Sequence, residues 1–320
     1  MIRLTWRLAR PNIMSSAALL AAVVLFAVLT RRSMSAYLDH SGLNACLAAD
    51  GDCGDLIRSF TLKFDTVINA RAWINLLPLL FGVFWGGPLI AREIEQGTHR
   101  LAWSQSISRG RWLATKIGVF MLGAILVSAT LTALTTWWFG PLEHIREPAG
   151  SIFGRLDPNV FDFSGIVPVA YTIFAFALGV AAGAIIKRTI AATVVTLAVY
   201  LPVQTGIRLL RGHYLAPRHE IYPFGGVGSR AVRGDWIVEH LTIDKAGNVV
   251  DLSNVPDACR ALAGREATNA CIAAQGYRFF DTYQPIERFW PFQLIESGIF
   301  IGLAAVVLSL AAWWIIRRVA

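Results

Sequence analysis

Few residues in this chain combine a type and a spacing suited to chemistry. Asp50, Asp52 and Asp55 in DGDCGD form an acidic cluster of the kind that can hold a divalent cation. A calcium loop counted from Asp50 needs a bidentate Glu at its twelfth position, where Thr61 stands, so the stretch reads as a solvated acidic turn. His213 and His219 lack carboxylates at a metal-ligand spacing, and RHEIY breaks the His-Glu-x-x-His pattern of zinc hydrolases. The phosphate cradle GxxxxGK[ST] does not occur, so the chain has no nucleotide-hydrolysing loop of the usual kind. Four cysteines, Cys46, Cys53, Cys259 and Cys271, allow three disulfide connectivities, of which the pairs 46–53 and 259–271 are plausible. The echo between NACLAADG and NACIAAQG is too short to signal a repeat architecture.

The elements that carry these residues follow from hydropathy. The 320 residues are 55% hydrophobic and only 16% charged, with a mean hydropathy of +0.52, beyond the apolar share of an ordinary soluble domain. Runs free of ionisable side chains and long enough to cross about 30 Å of hydrocarbon predict six spans: Ile13–Thr30, Ala72–Ala91, Ile117–Trp138, Gly165–Ile186, Ile190–Ile207 and Ser297–Ile316. The first has the basic flank of a signal peptide. Its run is longer than a typical signal core and is followed by Arg31 and Arg32, so it reads as a retained span.

Charge decides sidedness. Segments 1–12, 92–116, 187–189 and 317–320 hold twelve basic and two acidic residues; of the 29 and 21 in the chain, seventeen and nineteen remain for the other side, giving net charges of +10 and −2. The basic, short segments are expected in the cytoplasm, with both termini, and the protein in the cell membrane. All four cysteines then lie outside, where disulfides persist. The isoelectric point of about 9.7 becomes a sign of topology and of contact with membrane lipid, with no nucleic-acid partner implied.

The expected fold class is an all-α integral membrane protein with six transmembrane helices, cytoplasmic termini and an extracytoplasmic loop domain between spans five and six. Residues 1–12, MIRLTWRLARPN, read as an interfacial helix ended by Pro11 and Asn12. Spans one to five occupy 13–207 with a cytoplasmic loop at 92–116; 208–296 form the outer domain, and 297–320 the last span and tail. In the outer domain VPDACRALAG and EATNACIAAQG read as short helices ending at Gly264 and Gly276, and DKAGNVVDL as a hairpin edge. Glu296, at the edge of the last run, is expected to cap a helix or to pair with Arg288. Spans one to five carry no ionisable group, which argues against a proton-coupled pump.

The only substantial cytoplasmic loop is REIEQGTHRLAWSQSISRGRWLATK, Arg92–Lys116. Arg92, Glu93 and Glu95 extend the second span beyond the lipid, Gly97 can end it, and THRLAWSQ can form a short helix with Leu101 and Trp103 as apolar contacts. Taken by itself, the stretch also reads as a solvated loop that satisfies topology. It resembles the loop between spans two and three in permease subunits of the type-2 ABC exporter family, particularly those of actinobacteria. YQPIERFWPFQLIESGIF, Tyr283–Phe300, resembles the entry to their last span, and the six-span plan matches over the whole chain.

The resemblance implies a half-transporter that pairs with a second copy of itself or a similar permease. It also implies a separate ABC ATPase subunit, bound through loop 92–116, and outward movement of substrate along the dimer axis. ATP and Mg would sit on that partner, leaving no cofactor in this chain and no enzyme activity of its own. Glu93, Glu95, Gly97, Thr98 and Arg100 would lie in the coupling region, and spans two and five would line the path. Asn75, Thr193, Thr196, Tyr200 and Gln204 are compatible with such a path, as are Pro78, Pro88 and Pro202; the hydroxyls serve interhelical hydrogen bonding equally well. The path suits a small amphiphilic substrate. Two rival readings are a ligand-sensing or immunity subunit without net transport, and an integral membrane enzyme acting through its outer loops.

Overall fold

The structure is a computed structural model that describes residues 2–49, 53–74, 76–95, 109–140, 142, 154–226, 235–251, 257–260, 262 and 264–318. It is mostly helical. The helices are α1 (Ile2–His40), α2 (Leu43–Ala48), α3 (Gly54–Lys63), α4 (Asp65–Ile74), α5 (Leu76–Glu95), α6 (Arg109–Phe139), α7 (Pro158–Phe161), α8 (Val167–Ile186), α9 (Thr189–Leu210), α10 (Asp257–Arg260), α11 (Arg265–Ala274) and α12 (Phe289–Arg318). Among the described residues, five helical stretches are long and apolar enough to cross a membrane: Ala17–His40, Gly110–Phe139, Val167–Ile186, Thr189–His213 and Ile286–Arg317. The second expected run, Ala72–Ala91, is shared between the end of α4 and α5, which terminates in Arg92, Glu93 and Glu95. At the N-terminus the expected boundary at Pro11 and Asn12 does not interrupt α1, which continues ten residues past Thr30.

Helix α8 is the hub. It is buried along most of its length and packs against α5, α6, α9 and α12. Its contact with α5 depends on missing side chains. A Cβ on Gly86 would lie 2.5 Å from the Phe176 carbonyl oxygen, one on Gly82 2.8 Å from that of Thr172, and one on Gly183 2.6 Å from that of Gly87. Gly82 and Gly86 on α5 and Gly179 and Gly183 on α8 are each four apart, the spacing at which small residues let two membrane helices bring their backbones together. Ser128 on α6 adds a polar link, accepting from Thr172 Oγ1 at 3.0 Å and donating to the Pro168 carbonyl at 3.2 Å.

The chain is not helical throughout. In the segment before α12, β1 (Arg218–Pro223), β2 (Trp236–Ile243) and β3 (Arg278–Gln284) form an antiparallel sheet of order β1-β3-β2, with a bulge in β2 between Ile237 and Glu239. The hairpin edge expected at DKAGNVVDL is a turn after β2, closed by a bridge between Ile243 and Val249. Hydropathy could not reveal β3, whose last four residues are buried on both faces, or β1, whose apolar Ile221 lies on the exposed face. Cys259 is bonded to Cys271 and Cys46 to Cys53, with Cα separations of 5.5 and 5.9 Å.

Candidate functional site

At the end of the bundle where α5 stops and α6 and α9 begin, two acidic residues act as braces. Glu93 forms an ion pair with Lys116 of α6. Glu95 Oε2 accepts from the Thr189 N–H at 3.3 Å and its hydroxyl at 3.0 Å. Arg188, at the N-cap of α9, makes no side-chain cap, so Glu95 supplies the acceptor from another helix and places a negative charge at the positive end of the helix dipole. The two-residue link from α8 to α9 turns through Lys187, the one described non-glycine residue with positive φ, at 59°. Thus α5, α6 and the α8–α9 link are joined at the two ends of the segment 96–108. Gly97, Thr98, Arg100, Leu101 and Trp103 lie outside the described residues, as does Asn75.

The residues expected along a path on α9 separate. Thr196 and Tyr200 are buried inside this chain, Thr196 donating to the Ala192 carbonyl at 2.7 Å and Tyr200 lying 5.9 Å from the Phe174 ring. Thr193 faces α5, its Oγ1 3.3 Å from where a Gly87 Cβ would be, and donates to the Thr189 carbonyl at 3.1 Å. Gln204 is half-buried. Apolar residues such as Ile190, Val194, Val199 and Leu209 occupy the exposed face of the helix. Of the acidic cluster near the first disulfide, Asp55 heads α3, while Asp50 and Asp52 lie outside the described residues.

At the opposite end of the bundle lies a buried charge cluster that was not anticipated. Arg211, fully buried just after α9, donates through Nε to Glu296 Oε2 at 2.8 Å and through Nη2 to Glu296 Oε1 at 2.7 Å and Asp162 Oδ1 at 2.5 Å. Tyr171 of α8 donates to Glu296 and, at 3.2 Å, to Asp162; Tyr214 donates to Glu296 at 3.1 Å. Arg208 Nη1 approaches Asp162 Oδ2 at 3.4 Å, so two guanidinium groups face two carboxylates. The Arg211 guanidinium also lies 4.1 Å over the Phe161 ring. The expected pairing of Glu296 with Arg288 is corrected: Arg288 Nη1 donates to the Ala216 carbonyl at 2.7 Å and to Gln284 Oε1 at 2.5 Å. Helix α12 continues seven residues before Glu296, and this depth carries the carboxylate inward to Arg211.

The cluster also fastens the sheet to the bundle. Gln284, the last residue of β3, donates to the carbonyls of Gly212 and Leu215, both at 2.8 Å, on either side of the turn that follows Arg211. Gln293 of α12 accepts from the N–H groups of Ile166 and Val167, each at 2.9 Å, capping α8 from a second helix. Gly165 makes room: its φ is +70°, and a Cβ there would lie 2.5 Å from Gln293 Oε1. A sequence signal existed, since Asp162, Arg208 and Glu296 each stand just outside an uncharged run. That signal marks a boundary and cannot reveal that three boundaries meet.

On the sheet, Asp281 accepts from Tyr222 at 2.9 Å and lies 2.5 Å from His240 Nδ1, with Glu220 opposite in register. Burial and these carboxylates push the Tyr222 phenol well above its ordinary pKa. Next along β3, the Thr282 hydroxyl lies 3.2 Å from His219 Nδ1. A family model described as ABC-2 membrane transporter related matches residues 17–211, more than half of the chain. No curated protein and no solved structure matches it.

Proposed function

Since the chain belongs to the ABC-2 membrane transporter related family, we propose that it is the membrane-spanning permease subunit of an ATP-driven exporter. A separate ABC ATPase grips segment 92–116 on the cytoplasmic side, and its movement drives a small amphiphilic substrate outward across the cell membrane. The chain acts with a second permease copy, and ATP and Mg belong to the ATPase.

The observation that carries this reading is the pair of braces at Glu93 and Glu95. A partner pressing on 96–108 acts on a segment whose ends are tied by the Glu93–Lys116 ion pair and by the Glu95 cap on α9. Displacement of α5 passes to α8, because their backbones are in contact at Gly86 and Gly179 and no flexible side chains lie between them to absorb it. From α8 it reaches the Arg211 cluster and the sheet through Tyr171. Glu93 and Glu95 transmit force inside this role, while Gly97, Thr98, Arg100, Leu101 and Trp103 supply the surface that the ATPase meets.

The test is capture of the cognate ATPase subunit by the purified permease, with transport measured in cells and membrane abundance as control. The E93K/E95K variant should lose transport at normal abundance, and the exchange E93K/K116E should recover part of it because the brace is rebuilt with its charges reversed. Unaltered ATPase capture and transport in E93K/E95K would leave the coupling role without support.

A further inference from the structure

A cavity of about 580 Å³ opens between α6, the α7–α8 segment and the first turn of α12, at the same end of the bundle as Arg211. Small residues on α6 create it. Ala129, Ala133 and Thr136 follow one another at helical spacing and are all exposed, which leaves a slot running along the helix. From Ala129 to Trp137 the slot extends about 12 Å at the rise of an α-helix. That is close to the half-thickness, about 15 Å, of the hydrocarbon layer, which α6 is long and apolar enough to cross. Trp137, Ile166 and Trp290, all exposed, stand at the rim, and Phe163 and Phe289 form buried parts of the wall. Trp137 ends the uncharged run of α6, so this rim lies where tryptophans meet the headgroup level.

The hydroxyl hydrogens of the lining are committed within the chain. Thr132 donates to the Ser128 carbonyl at 2.9 Å, Thr136 to the Thr132 carbonyl at 2.8 Å and Ser164 to the Val160 carbonyl at 2.9 Å. The Ile166 N–H is taken by Gln293 at 2.9 Å. Arg155, the one charged residue on the described lining, is already engaged by another group. A charge entering the slot would give up water without a counter-charge in return, and a water molecule would meet no hydroxyl hydrogen. Hydrocarbon requires neither, and it restores the contacts that the aromatic and alanine walls lack when nothing lies against them.

We propose that the slot holds one acyl chain of a membrane lipid, drawn from the leaflet at that end, the outer one in the proposed orientation. The chain lies parallel to α6 with its headgroup beside Trp137 and Trp290, and recognition belongs to the chain. The depth of the slot, its direction along a membrane-length helix and its uncharged apolar wall each match a lipid chain of one leaflet. Neither α5 nor α9, the helices to which the export path is assigned, lines it. Its binding test makes no use of the ATPase or of transport, and so stands or falls independently of the permease reading.

The experiment uses the full chain, delipidated in neutral detergent micelles, and follows quenching of tryptophan fluorescence by a phosphatidylcholine brominated along one acyl chain. Bromine quenches on contact, so a chain in the slot reaches Trp137 and Trp290. A saturable component is expected, and the same lipid should raise the melting temperature as a ligand of the folded state does. Phosphatidylglycerol should compete within about threefold of phosphatidylcholine, because apolar burial carries the affinity. Dodecanol should compete at least about tenfold better than dodecanedioate, whose second carboxylate would have to enter the slot. A129L/A133L fills the slot with good helix formers at exposed positions and adds no tryptophan; it should melt cooperatively while losing both the saturable quenching and the lipid-dependent shift. Absence of saturable quenching in the unaltered protein, or equal competition by dodecanol and dodecanedioate, overturns the proposal without reference to any variant. Saturable quenching that persists in folded A129L/A133L also overturns it, as does a lipid-independent dimer that this variant abolishes, which would give the slot to a second copy of the chain.

Discussion

Arg211 and Glu296, 85 residues apart in sequence and both fully buried, meet through two hydrogen bonds of 2.8 and 2.7 Å. The pair joins the end of α9 to the interior of α12, while Tyr171 brings in α8 and Asp162 the segment between α7 and α8. Removing one partner of a buried ion pair leaves the other charge uncompensated, at a cost of about 3–5 kcal/mol. Arg211→Leu, which leaves Asp162 and Glu296 facing each other, should lower the melting temperature in detergent more than Glu296→Gln, which leaves Arg211 paired with Asp162. Equal and small shifts for the two variants would show that the cluster does not hold these helices together.

The α5–α8 contact makes a second prediction from backbone geometry. A Cβ at Gly86 meets backbone only 2.5 Å away, whereas one at Gly118 on α6 meets nothing within 4 Å. Gly86→Ala should therefore cost about 1–3 kcal/mol through overpacking, and Gly118→Ala should be neutral or gain about 0.5–1 kcal/mol from lower unfolded-state entropy. Thermal unfolding of the two variants side by side checks this, and transport should fall with the first alone.

Sidedness is tested by single added thiols, because the four natural cysteines are bonded in pairs. Arg188 in the α8–α9 link and Asn248 in the turn after β2 are both exposed. An impermeant maleimide added to intact cells should label Asn248→Cys and leave Arg188→Cys unreacted until the membrane is opened. The reverse pattern would invert the proposed orientation.

The turn after β2 carries a pH dependence. Asp244 accepts from the N–H groups of Asn248 at 2.9 Å and Ala246 at 2.8 Å, and from the Asn248 amide at 3.2 Å. The Asn248 bonds, first its backbone and then its side chain, hold the Asp244 carboxyl below its ordinary value of 3.8. A depressed carboxyl pKa in the folded state stabilises the turn above the ordinary value, and this support is lost as pH falls through the lower one. Exchange of the Ala246 and Asn248 amides, corrected for intrinsic rate, should accelerate below about pH 4 and lose that dependence in Asp244→Asn.

How much was legible in advance varies with the range of the interaction. Uncharged runs located the five described membrane-length stretches, because crossing hydrocarbon is a requirement on consecutive residues, but stopped six to eleven residues short of four of their ten ends. The short separations of 7 and 12 positions made Cys46 with Cys53 and Cys259 with Cys271 plausible pairs, but the choice among three connectivities belongs to the fold. Glu93 and Glu95 stood out as charges ending a span, but their partners Lys116 and Thr189 follow from how helices are arranged.

Tertiary structure alone decided the rest. Asp162, Arg208 and Glu296 stand at the edges of apolar runs and Arg211 falls in the outer segment, so hydropathy reads all four as loop residues. Packing placed Asp162, Arg211 and Glu296 together inside the protein, where mutual neutralisation offsets the cost of removing them from water. Gly82, Gly86, Gly179 and Gly183 look alike to a hydropathy scale and to a turn rule; only the approach of α5 to α8 makes their missing side chains necessary. The cavity beside Trp137 was equally hidden, since a void belongs to several elements at once and has no sequence of its own. Local rules written in consecutive residues determined where the chain enters and leaves an apolar medium, and contacts between distant residues determined what is held within it.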